Sequence, residues 1–183
     1  MTMLSMVLMF AAFVFLVFAA CTLWVPSKPQ WFDFCEKIPR GRWSGSVLTV
    51  LVCALCVPNI QPIIDPGGFL YQWLLPLMLL GAVICIVYLD FLFARAFGAL
   101  LILLAHYLLK ETYPQALPLQ WWFASVFVIL GTFGICICAK PYWMRDWIRA
   151  AFQRPKMRVI QTFFWFAAGS SCAIAALQIM ARS

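Results

Sequence analysis

Ionised side chains are what this sequence has least of. Among 183 residues there are 13 Lys and Arg, 6 Asp and Glu and one His, so 10% are charged while 66% are hydrophobic. A soluble domain carries about 25% charged and about 45 to 50% apolar residues. A chain this short cannot hide the excess in a core of its own. The apolar surface needs a second apolar solvent, and lipid is the one cells offer.

Charge is missing altogether from residues 1 to 27. A cleaved signal peptide needs a positive segment ahead of its apolar run, and here there is none. Phe18-Ala19-Ala20-Cys21 resembles a lipoprotein cleavage box in outline only. The first apolar run is therefore expected to stay as a membrane span. Polar loops are scarce as well. The eight Cys fall mostly inside apolar stretches, where a thiol behaves as a small hydrophobe. That excludes the loop-rich disulfide framework of small secreted domains. The formal charge of +7 sits in short clusters between apolar runs, whereas binding nucleic acid needs a continuous basic surface. No nucleic-acid partner is expected.

What the chain does have is apolar runs near the length of one crossing, about 20 residues. Candidate spans are 2–25, 44–57, 69–89, 96–109, 119–139 and 159–181. The second and fourth, at 14 residues, reach only about 21 Å at 1.5 Å per residue, short of a hydrocarbon core about 30 Å thick. Residues 69–109 as one rod would reach about 61 Å, twice that thickness, so the chain must turn. The turn is expected at Asp90 to Arg95, the only charges in the stretch, with Arg95 snorkelling to lengthen the fourth span. If Asp90 and Arg95 pair, they lock the third span to the fourth.

With six spans, Lys28, Lys37, Arg40, Arg42, Arg95, Lys140, Arg145, Arg149, Arg154, Lys156 and Arg158 share one side, and only Lys110 and Arg182 lie opposite. The excess of Lys and Arg makes that side cytoplasmic and both termini extracytoplasmic, in a bacterial-type inner membrane. Trp24, Trp43, Trp73, Tyr113, Trp121 and Trp143 fall near the expected ends, where aromatic rings favour the headgroup level.

Between the last two spans, Pro141 and Pro155 bracket a helix-length segment. Trp143, Trp147, Ile148, Ala151 and Phe152 recur at helical spacing, with Arg145, Arg149 and Arg154 on the other side. An interfacial helix over 142–154 is expected, its apolar face in the bilayer and its arginines on anionic headgroups. The outer connection 58–68 holds three Pro and two Gly and should be irregular. Small residues that permit close helix contact stand at Ala94 and Gly98, at Gly131 and Gly134, and along 167–173. The last run is the expected tight contact, within the chain or with a membrane-protein partner.

The fold class expected is thus an all-α membrane protein, a polytopic bundle of about six transmembrane helices plus one short amphipathic interfacial helix, forming a single domain over 1–183. Chemistry is sparse. Cys53-Ala-Leu-Cys56 has redox spacing, yet no outer loop carries further cysteines to exchange with it, and small apolar filling explains it. Cys136 and Cys138 are two apart, so on a helix they point away from each other and cannot chelate a metal. His106, with Asn59, Asp65, Gln72 and Glu111, would line an outward-facing polar pocket for a cation or quinone headgroup; a snorkelling interfacial His is the simpler reading. No catalytic residue, metal or cofactor is expected. A non-enzymatic membrane subunit or scaffold ranks first, a small transporter or channel second, and a quinone- or thiol-linked membrane redox enzyme third.

Overall fold

A computed structural model describes residues 3–60 and 69–182 of the chain. The described residues form helices and connecting turns, with no strand among them. In chain order they are α1 (Met3–Trp24), α2 (Phe32–Lys37), α3 (Arg42–Ile60), α4 (Phe69–Tyr88), α5 (Leu92–Thr112), α6 (Gln120–Ala139), α7 (Tyr142–Gln153) and α8 (Pro155–Arg182). Helices are what apolar runs this long must form, because a helix pairs its own backbone groups where no water reaches. Four stretches, Leu4–Ser27, Leu92–Gln115, Gln120–Ala139 and Pro155–Ala181, are long and apolar enough to cross a membrane. α3 meets that test together with α2, across a bend of 48°. Asp33, Glu36 and Lys37 make α2 the more charged member of that pair. The protein is an all-α membrane bundle.

A helix stands over each expected span, but among the described residues four or five are long and apolar enough to cross, and α4 contributes only the shorter apolar stretch Trp73–Tyr88. The two short runs are extended, α3 to 19 residues and α5 to 21. Both helices continue past the apolar residues into their polar flanks, Arg42 to Ser46 in α3 and Lys110 to Thr112 in α5. The rod over 69–109 is broken as expected. α4 stops at Tyr88, and α5 starts at Leu92 after Phe91, which takes the left-handed conformation at φ 56°. Residues 61–68, most of the irregular outer connection, lie outside the described residues.

Two antiparallel pairs make the centre. In α1 and α8 the Thr22 and Thr162 hydroxyls hydrogen-bond at 3.0 Å, Phe15 stacks on Trp165 with ring centroids 5.8 Å apart, and Gly169 lies against Leu16. Ala168, Ser171, Cys172, Ala175 and Ala176 are buried, so the small-residue run expected to pack tightly does so within the chain, against α1. α5 and α6 approach closest at Gly98 and Gly134. A Cβ added to Gly98 would stand 2.7 Å from the Gly134 carbonyl oxygen, and one on Gly134 would stand 2.6 Å from that of Gly98. α3 packs on α5, with Gly45 against Phe93, and α4 rests on α3 at the edge. Phe123, Phe127, Leu130 and Leu108 fill the space between the pairs.

Both basic connectors come to one end of this bundle. Arg149 of α7 is ion-paired with Glu36 of α2, and Arg158 at the start of α8 donates to the Pro26 carbonyl beyond α1 at 3.2 Å. Trp43 at this end and Trp121 at the other are 90% and 89% exposed.

Candidate functional site: a roofed apolar cavity at the basic end

At the basic end the helices diverge and leave a cavity of ≈ 230 Å³. Its walls are Phe18, Cys21 and Thr22 of α1, Phe93 and Phe97 of α5, Phe133 and Ile137 of α6, and Gln161 and Trp165 of α8. α7 forms the roof with Met144, Trp147, Ile148, Ala151 and Phe152, and Cys35 and Ile38 close one side. Aromatic rings dominate. Phe18 meets Phe97 edge-on at 6.0 Å and Trp165 at 5.4 Å, and Phe133 lies 4.9 Å from Trp147.

The roof is held by polar contacts rather than by apolar contact alone. The buried Gln161 amide donates to the Trp147 carbonyl at 2.7 Å. Arg158 donates to the Ala151 carbonyl at 3.2 Å, and Arg149 reaches Glu36. Phe152 packs edge-on against Phe32 of α2, with centroids 5.2 Å apart. These contacts correct one expectation. α7 is the amphipathic helix foreseen over 142–154, but much of its apolar face, Trp147, Ile148, Ala151 and Phe152, turns into the bundle instead of into the bilayer. Folding the helix back over α6 and α8 sets these side chains against protein: Ala151 is buried, at 4% exposed, and Trp147, Ile148 and Phe152 are half-buried. Trp143 stays partly exposed with Lys140 Nζ 5.5 Å from its ring centroid. Arg154 is exposed, and Arg145 lies 3.4 Å from Asp146.

A second expectation changes as well. Asp90 is exposed in the turn, and the described residues hold no ion pair between it and Arg95. α5 begins before Arg95 and aims it at α6, where its guanidinium donates to the Cys138 carbonyl at 3.2 Å while Cys138 Sγ donates back to the Arg95 carbonyl at 3.3 Å. Arg95 thus locks the fourth span to the fifth rather than to the third.

The remaining candidates are not drawn into one site. His106 is exposed on α5, with no hydrogen bond or ion pair among the described residues. Cys53 and Cys56 are free thiols on α3, and Cys85 of α4 is a further electrostatic neighbour of Cys53. Asn59 turns its amide back to the Leu55 carbonyl at 2.8 Å. Asp65 and the side chain of Gln72 lie outside the described residues. Among the described residues no three of His, Cys, Asp or Glu are placed to hold a metal ion.

Sequence reasoning missed the cavity, because its walls come from six helices and no linear spacing marks it. The available signal was the gathering of Phe18, Phe93, Phe97, Phe133 and Trp165 in the halves of their helices nearer the basic end, with Trp147 in the connector there. Two details bear on its chemistry. Cys35 is a half-buried free thiol in its wall. The Trp147 indole N–H is buried and meets no acceptor among the described residues. An arrangement of this kind can enclose an apolar chain and offer it one donor; it presents no paired acid and base. Compared with family models, with curated proteins and with solved structures, the chain matches none.

Proposed function

We propose that the chain is a non-enzymatic subunit or scaffold of a bacterial-type inner membrane, with its basic end cytoplasmic and both termini outside. One observation carries this reading: four polar contacts of the bundle join one helix to another. Thr22 is bonded to Thr162, Trp122 Nε1 donates to Ser171 Oγ at 2.9 Å, Arg95 is exchanged with Cys138, and Gln161 holds α7. Groups committed to packing are poor candidates for a reaction or an ion path, which need polar atoms presented to a ligand. The orientation follows from the cations gathered at one end. Arg145 and Arg154, on the outer side of α7, meet anionic headgroups there.

Purification in mild detergent with mass analysis of protein and small molecules tests the reading. A stoichiometric second membrane protein is the expected result. A tightly held quinone without such a partner overturns it in favour of the redox class, and solute flux through liposomes holding this chain alone overturns it in favour of transport.

A further inference from the structure

We infer that the cavity holds one acyl chain of an anionic phospholipid, admitted sideways from the leaflet at the basic end; this deepens the reading of that end as the face toward anionic lipid. Of the lining residues only Cys21 is exposed, which locates the opening on α1. Val17 and Trp24, 43% and 64% exposed on the same side of α1, make that side the lipid-facing one. α1 and α5 are bridged there by Phe18 against Phe97 rather than by close backbone contact, so a chain can pass between them without parting a packed helix pair. Inside, the walls are almost entirely apolar, which suits methylenes and rejects a charged solute.

The rim supplies the charge. Lys28 stands just beyond α1 with its Nζ 4.1 Å from the Trp24 ring centroid. That is about two helical turns past Cys21, where the phosphate of a lipid whose chain enters at Cys21 lies. Arg158 adds a second cation beside Pro26 and Ser27. On the roof helix the buried Trp147 indole N–H meets no acceptor among the described residues, and a buried donor left unpaired costs about 1 to 3 kcal/mol. An ester carbonyl provides one. An isoprenoid quinone also offers carbonyls and an apolar tail, but it has no charge for Lys28 and Arg158 to meet.

Wild-type protein in phosphatidylcholine nanodiscs, doped with phosphatidylglycerol bearing a diazirine on one acyl chain, tests this directly. Photolysis and peptide mass analysis read the ratio of label at Phe97, Phe133 and Trp165 to label at the lipid-facing Leu79 and Val83 of α4. That ratio is expected to be about fivefold higher than with the same diazirine on phosphatidylcholine, the factor that one cation worth roughly 1 kcal/mol gives. Lys28→Ala should bring it down toward the phosphatidylcholine value. Cavity peptides without label, or equal ratios for the two lipids, overturn the proposal. So does loss of the cavity label alone when an isoprenoid quinone is added in equal amount. Nanodiscs offer both leaflets, so an error in the cellular orientation leaves this result unchanged and the two readings fail separately.

Discussion

One methyl group decides whether α5 and α6 can touch. Gly98 and Gly134 face each other's carbonyl oxygens, and in lipid, where apolar burial drives no association, such close backbone approach is what holds helices together. Gly98→Ala should push the pair apart and lower stability by about 1 to 3 kcal/mol, the usual cost of overpacking. Gly81 on α4 has nothing within 4 Å of where a Cβ would stand. Gly81→Ala should therefore be neutral or gain about 0.5 to 1 kcal/mol, since glycine weakens a helix interior. Thermal unfolding in detergent, followed by loss of monodisperse protein, distinguishes the two. Equal destabilisation by both variants would mean that the glycine contact does not set the α5–α6 distance.

α7 is an element whose fate depends on a few polar contacts. Gln161 is 1% exposed and gives its amide to the Trp147 carbonyl, so Gln161→Ala removes one buried hydrogen bond, worth about 1 kcal/mol. Amide exchange across α7 should then quicken about fivefold, the factor that energy corresponds to, with the α1 and α8 spans unchanged. Exchange rising equally in the spans would show that Gln161 supports the whole bundle and not the roof. That α7 is helical and amphipathic was legible from Pro141, Pro155 and the spacing of Trp143, Trp147, Ala151 and Arg145. What covers its apolar face was not, because periodicity records an apolar stripe without saying whether lipid or a neighbouring helix meets it. The role of Arg95 was hidden for a similar reason. The break before α5 is made by Phe91 at positive φ with no glycine to announce it, so the helix starts before Arg95 and the residue belongs to the α5–α6 contact instead of the turn.

Across the whole molecule, the rare charges trace the path of the chain. Charge leaves hydrocarbon only where the backbone reaches the interface, which is why the run 69–109 turns near Asp90 and why Glu36 of the first basic connector meets Arg149 of the last. The positions of the long helices and the grouping of the two basic loops could be read in this way from a list of residues. The cavity could not, since it exists only where α1, α5, α6 and α8 separate beneath α7. Cysteine accessibility in intact cells, in a background without native thiols, tests the arrangement most directly. Gln115→Cys, between α5 and α6, should react with an impermeant maleimide. Gln153→Cys, at the end of α7, should react only after the membrane is opened. Labelling of both positions in intact cells, or of Gln153→Cys alone, would contradict it.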